Sequence, residues 1–182
     1  MKISRKQFLK LVPAAALALS GCGGKTEPAN TKSLVFTQHY QLDYAQQFTA
    51  ECYEGGYTML TVTESDKRFL VVPEDAANVD DLPADVTVLR QPLQNIYLVS
   101  SSVMDLFLHL DALGTVTLTG TKAEGWYLPE VKQAMEEGRI AYAGKYSAPD
   151  YEQILAAGCC LSIENTMVLH TPEVKEQLEH FG

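Results

Sequence analysis

Apolar positions in this chain fall into three textures. The first is a short run, Leu9 to Leu19, that follows Lys2, Arg5, Lys6 and Lys10 and closes on Ser20-Gly21. Basic residues, an apolar stretch too short to span a bilayer and a small-residue end predict an export signal over residues 1–21. The polar segment that follows, GGKTEPANTK from Gly23 to Lys32, carries Gly, Pro and Asn and predicts a flexible tether over 22–33. The second texture, within a β-rich segment 34–94, alternates in the manner of strands. Phe48 to Tyr53 and Tyr57 to Thr63 flank Glu54-Gly55-Gly56, a hairpin signal. Arg68 to Val72 is a further strand stopped by Pro73. Asp75 to Asp85 is an acidic loop, and Val86 to Leu89 a last short strand. Together they predict a small antiparallel piece.

The third texture alternates strand with helix over 95–182. Asn95 to Ser100, Thr115 to Thr119, Ile140 to Ala143 and Cys159 to Ile163 read as strands. Val103, Leu106, Phe107 and Leu110 recur at helical spacing after Ser101-Ser102, either of which can cap. Pro129 and Gly138 bracket a second helix, Pro149 and Gly158 a third, and Thr171-Pro172 opens a fourth, with Val174, Leu178 and Phe181 on one face. Four consecutive βα units predict an α/β fold: a parallel-sheet, Rossmann-like lobe with helices on both faces and right-handed crossovers, preceded by the small antiparallel segment.

Charge narrows the partners. The 182 residues carry a net charge of −9. Loss of the leader removes four basic and no acidic residues, leaving 10 Lys and Arg against 23 Asp and Glu, or −13. Such a surface repels phosphate backbones, which excludes nucleic acid as a partner, and it makes anionic headgroups poor direct partners. Cys52, Cys159 and Cys160 remain beside Cys22. Vicinal cysteines form a strained ring, no CxxC or zinc spacing occurs, and Cys159 and Cys160 are expected to be small buried strand residues. His39, His109, His170 and His180 are dispersed, with no metal-ligand spacing. No Gly-x-Ser-x-Gly, phosphate-loop, GxGxxG or HExxH motif is present, so neither a cofactor nor an enzymatic activity is expected.

Leu19-Ser20-Gly21-Cys22 resembles the lipobox of bacterial lipoproteins. That resemblance implies acylation of Cys22 and anchorage on the extracytoplasmic face of the cell membrane, each buried methylene contributing about 0.8 kcal/mol. Ser4-Arg5-Lys6-Gln7-Phe8-Leu9-Lys10 is similar to a twin-arginine signal with its second arginine replaced by lysine. The substitution weakens such a signal, and general secretion is the expected route.

Residues 95–182 resemble the N-terminal lobe of the class III substrate-binding proteins, which serve ABC importers of ferric siderophores, haem and cobalamin. Three features carry the resemblance. Asn95 to Gly114 is a strand, a serine turn and a helix ending in Leu-Gly. Tyr142 to Leu155 is a glycine, a short loop and a helix bearing Glu152. Leu161 to Glu164, with the helix from Pro172 to Phe181, is the next βα unit. The resemblance implies a lipid-anchored solute-binding component contacting ABC permease subunits and a metal-chelate or corrinoid ligand. It covers one of the family's two lobes, so the chain reads as truncated, or as a half-receptor.

Ligands of open α/β sheets lie beyond the carboxyl ends of the strands, here near Ser100 to Ser102, Gly120 to Tyr127, Gly144 to Ser147 and Glu164 to Thr166. Trp126 and Tyr127 fit either a flat ligand wall or lobe packing. Tyr146 falls where the family often places a ligand-stacking aromatic. Lys145 suits an anionic chelate or a solvated surface. The family docks one surface Glu per lobe on permease arginines, and Glu152 holds that place; a first-turn carboxylate also favours the helix dipole. Two other readings stand beside the receptor: a surface lipoprotein acting through protein contacts without transport, and an enzyme using Cys159 or Cys160.

Overall fold

Thirteen short strands, four α-helices and three short 3-10 helices make up the regular structure of residues 31–181, the part of the chain that the computed structural model describes. In chain order, β1 (Thr31–Lys32), β2 (Phe36–His39), β3 (Phe48–Tyr53), β4 (Thr58–Val62), β5 (Arg68–Val72), β6 (Asn78–Val79) and β7 (Val86–Arg90) come first. Five of these form one sheet in the order β2-β3-β4-β5-β7. Its neighbours are antiparallel from β2 to β5, and β7 joins β5 in parallel. Gly55 and Gly56, at φ of 82° and 83°, make the β3–β4 turn, a conformation that costs glycine little. β1 pairs with β6, which ties Thr31 and Lys32, the end of the expected tether, to the β5–β7 connection.

One face of that sheet is buried. Tyr57, Met59, Leu70 and Val72 form its core, and Ala76, Val79 and Leu82 of the β5–β7 connection cover them. Polar bonds hold the cover down. The Tyr57 hydroxyl donates to the Ala77 carbonyl at 2.7 Å. The Arg90 guanidinium donates to the Ala76 carbonyl at 3.0 Å and to Asn78 Oδ1 at 2.6 Å.

The remaining elements are β8 (Ile96–Leu98), α1 (Ser101–His109), β9 (Val116–Thr119), α2 (Pro129–Glu136), β10 (Ala141–Tyr142), β11 (Gly144–Lys145), β12 (Ala148–Pro149), α3 (Tyr151–Ala156), β13 (Ser162–Ile163) and α4 (Pro172–Phe181). The second sheet runs β10-β9-β8-β13, all parallel. β8 is buried on both faces. Ile96 and Leu98 pack with Met104, Val116, Trp126, Val131 and Ala134, which brings α1 and α2 onto one face. Tyr97 and Val99 pack with Leu118, Ala143 and Ile154, with Leu178 alongside, which brings α3 and α4 onto the other. The period of two along the strand makes this division.

These findings correct the expected fold class. The protein is mixed α/β, not a Rossmann-like parallel lobe with a minor antiparallel preface. Its larger sheet is the mainly antiparallel one, and the parallel sheet has strands of only two to four residues. Two causes hid this. Every residue of β2 is exposed, so no apolar alternation marks that strand. β7 returns beside β5 in parallel through a long connection, and strand direction is not written in strand composition.

Among the described residues no helix is long and apolar enough to cross a membrane. Leu98 is fully buried at the centre of the parallel sheet, whereas Val88 lies exposed on the outer strand β7. Leu98→Ala is expected to cost about 2–5 kcal/mol, and Val88→Ala within roughly 0.5 kcal/mol. Denaturant midpoints of the two variants check the contrast.

Candidate functional site

The carboxyl rim of the parallel sheet gathers polar groups from four strands. After β8, the Ser100 and Ser102 hydroxyls lie 3.2 Å apart, and Ser100 stands at the start of α1 without a side-chain capping bond. After β9, the chain passes Val99 so closely at Gly120 that a Cβ there would meet Val99 Cγ1 at 3.0 Å. It then reaches Lys122, whose ammonium sits 5.7 Å from the centroid of the Tyr142 ring, a cation–π pair at the end of β10. Beyond β10, β11 and β12 form a hairpin that carries Lys145 on its first arm and Tyr146 in its turn. The Tyr97 hydroxyl donates to the Gly144 carbonyl at 3.0 Å and pins the hairpin to the central strand. After β13 comes Glu164.

Strand order reverses at β8. The chain steps outward from β8 to β9 to β10, then returns to place β13 on the other side of β8. A crevice for a ligand forms where such connections diverge. Glu164 stands at that point. Ser162 Oγ donates to its Oε1 at 2.9 Å, while Oε2 is buried with no hydrogen-bond partner among the described residues. Burial raises the Glu164 carboxyl above its ordinary range, against the opposing pull of the Ser162 hydrogen bond. Burial also raises the Tyr97 and Tyr151 phenols, and the negative charge of Glu164 adds to both shifts.

The residues singled out from sequence scatter over this rim and beyond it. Of the two readings of Trp126, ligand wall or lobe packing, the structure places the ring in the packed core. It is 2% exposed, packs with Ile96, Leu98 and Met104, and its Nε1 donates to the Thr121 carbonyl at 3.1 Å. Tyr127, the next residue, is 97% exposed. Tyr146 is half-buried and packs beside the cluster of Tyr97, Val99 and Ile154 on the opposite face of the sheet from Trp126. The two aromatic rings therefore share no wall. Lys145 is exposed and forms no ion pair among the described residues. Glu152 is exposed in the first turn of α3, where Asp150 already caps the helix by accepting from the Gln153 N–H at 3.0 Å. Cys22 lies outside the described residues.

The cysteines also differ from expectation. Gly158, at φ 60°, ends the turn after α3, and the chain does not enter β13 until Ser162. Cys159 and Cys160 are thus in no strand. Cys159 is half-buried and Cys160 exposed, with its Sγ donating to the Gln94 carbonyl at 2.6 Å. Burial pushes the Cys159 thiol up, which opposes thiolate formation. Among the described residues no three His, Cys, Asp or Glu side chains converge as a metal would require.

Lys122 and Glu164 fall within the strand-end stretches expected near a ligand, but the sequence singled out neither of them, nor Tyr97 or Tyr142, as a site residue. Their one shared signal is position, since Lys122, Tyr142 and Glu164 all stand within three residues of the carboxyl end of a parallel strand. No protein-family model, curated protein or solved structure matches this chain.

Two predictions follow from the rim. Glu164 titrates higher when folded than unfolded, so its ionised form weakens the fold. Wild-type stability attributable to this group is greatest below the unfolded carboxyl pKa and falls as pH rises through the folded one. Glu164→Gln is therefore expected to raise the denaturant midpoint at pH 7 and to lose that advantage near pH 4. Gly144 holds φ 81°, and a Cβ there would collide with the Ala148 carbonyl oxygen and approach Pro149 Cα at 2.8 Å. Gly144→Ala is expected to cost at least about 2 kcal/mol and to loosen the hairpin, read by faster amide exchange at Lys145 and Tyr146.

Proposed function

We propose that this chain is a lipid-anchored solute receptor of an ABC importer, holding a bulky metal chelate of the ferric-siderophore, haem or corrinoid class at the carboxyl rim of its parallel sheet. One observation supports the reading: strand order reverses at β8, and beside that reversal one Glu164 oxygen is buried with no hydrogen-bond partner among the described residues.

The exposed side chains divide the work. Lys145, free of any ion pair among the described residues, attracts the anionic periphery of a chelate. Tyr146, half-buried on its hairpin, offers a ring edge and a hydroxyl, and Tyr127 adds flat area from the loop before α2. Gly144 and the Tyr97 hydroxyl hold the hairpin in place, which preorganises Lys145 and Tyr146. Glu152 stands on α3 without a partner among the described residues and offers a carboxylate to permease arginines. Acylated Cys22 holds the assembly at the extracytoplasmic face.

A surface lipoprotein that works through protein contacts is the second reading. The separation of Trp126 and Tyr146 onto opposite faces of the sheet favours it, because that separation leaves the rim less flat area for a macrocycle.

Trp126 is the one tryptophan, and its buried indole reports binding without touching the ligand. Titration of the purified chain with a ferric catecholate, haem or cobalamin is expected to quench it saturably with at least one. Lys145→Ala combined with Tyr146→Ala is expected to weaken that binding about tenfold, or roughly 1.4 kcal/mol. Glu152→Ala is expected to leave binding intact and to lower uptake by the complete transporter. Absence of saturable quenching with all three ligands overturns the receptor reading.

A further inference from the structure

We propose that β7 pairs antiparallel with β7 of a second copy of this chain, joining two five-stranded sheets edge to edge about a twofold axis at Val88. The inference goes beyond the receptor reading and does not depend on it, because every residue it uses lies in the five-stranded sheet or its connections.

The first observation is an open edge. β7 is the last strand in the order β2-β3-β4-β5-β7, and no other strand of the described residues pairs with it. Thr87 and Val88 point to opposite faces of the sheet, and both are exposed. The middle of the strand is therefore uncovered on either side. Alternation also decides which backbone groups face outward. The Gln91 N–H donates to the Val72 carbonyl at 2.8 Å, so residues 87, 89 and 91 turn their backbone groups toward β5, and 86, 88 and 90 turn theirs away. The Val86 N–H is met by the Pro83 carbonyl at 3.0 Å. The Val88 and Arg90 N–H groups and the Val86 and Val88 carbonyls point off the edge of the sheet.

The second observation is regularity. Natural edge strands are guarded by bulges, prolines or charges. At the opposite edge, β2 is broken by a register shift between Phe36 and Gln38. β7 instead runs in unbroken register with β5, from Arg68 beside Val86 to Val72 beside Arg90. It contains no proline and no carboxylate. Its one charge, Arg90, is turned back into the fold, where it donates to the Ala76 carbonyl and to Asn78 Oδ1. Asp85, just before the strand, is held by the Arg68 guanidinium at 2.8 and 2.7 Å. Two copies of a chain with net charge −9 repel each other in general, and along β7 they meet without opposed carboxylates.

The third is symmetry, which selects a second copy as the partner. The outward groups of residues 86, 88 and 90 are centred on Val88. A twofold axis there sets Val88 against Val88 of the second copy as a hydrogen-bonded pair, each N–H donating to the other's carbonyl. The Arg90 N–H of each copy then meets the Val86 carbonyl of the other. Side chains match in the same register: Val86 lies beside the Arg90 stem, Thr87 beside Leu89, and Asp85 opposite neutral Gln91. β7 thus supplies both halves of its own complement.

The test uses the full chain in a mild non-ionic detergent, which keeps the apolar run at residues 9–19 from associating. Sedimentation is expected to show a monomer–dimer equilibrium between micromolar and millimolar protein, weak because a single strand pair buries little area. Val88→Pro removes an N–H that the fold does not use, and proline is tolerated on an edge strand. It is expected to raise the dissociation constant at least about tenfold with an unchanged circular dichroism spectrum. Val88→Lys, which leaves the backbone intact, is expected to do the same by setting two ammonium groups side by side. Amide exchange gives the signature of an edge pairing: dimerisation slows Val88 and Arg90, while Thr87 and Leu89, already turned toward β5, keep their rates. A chain that stays monomeric up to millimolar protein overturns the inference. So does a dimer that Val88→Lys leaves intact, or one that slows amides of β2 and not those of Val88 and Arg90.

Discussion

Burial of β8 on both faces is the constraint from which the rest of the parallel sheet follows. Ile96 and Leu98 face α1 and α2, and Tyr97 and Val99 face α3 and the end of the chain. A strand buried on both sides needs helices on both sides, and the connections must therefore leave it in both directions. That requirement places β9 and β13 on opposite flanks of β8 and creates the divergence at its carboxyl end. The alternation that stabilises the sheet also decides which residues are unavailable to a ligand. Trp126 fills the Leu98 face and Tyr146 sits against the Tyr97 face, so the two rings are committed to different layers by the same period of two.

Tyr97 links stability to the rim. Its ring is fully buried in the core, while its hydroxyl reaches out to the Gly144 carbonyl and sets the hairpin that carries Lys145 and Tyr146. Glu164 lies close enough for its charge to act on that phenol and on Tyr151. Its Oε2, buried without a partner among the described residues, is costly in this setting, and proteins keep such groups where something else is gained. The antiparallel sheet is built differently, with one covered face and one exposed outer strand, β2.

Much of the local structure was legible in the residues. Gly55-Gly56 marked a hairpin, and prolines 129 and 172 opened helices where expected. The strand runs ending at Ser100, Thr119 and Ile163 reached the parallel sheet. The balance between the two sheets was not legible. β2 carries the pattern Phe-Thr-Gln-His, all exposed, and its pairing depends on β3 across an eight-residue connection. The parallel return of β7 is a property of chain path, not composition. At the site, the tryptophan looked equally suited to a wall or a core because both demand a large flat ring. Only the neighbourhood of Ile96 and Met104, distant in sequence, distinguishes them. Glu164 was visible as a strand end, but the burial that leaves its Oε2 without a partner among the described residues depends on what surrounds it in three dimensions.

The central claim is that a solute is received at the carboxyl rim of the parallel sheet. Hydrogen–deuterium exchange on the intact protein, with and without saturating ferric chelate, haem or corrinoid, addresses it most directly. The account predicts slowed exchange in residues 100–102, 120–127, 144–147 and 164–166 together, with the five-stranded sheet unchanged. Protection confined to β2–β5, or a rim whose exchange no such ligand alters, would contradict it.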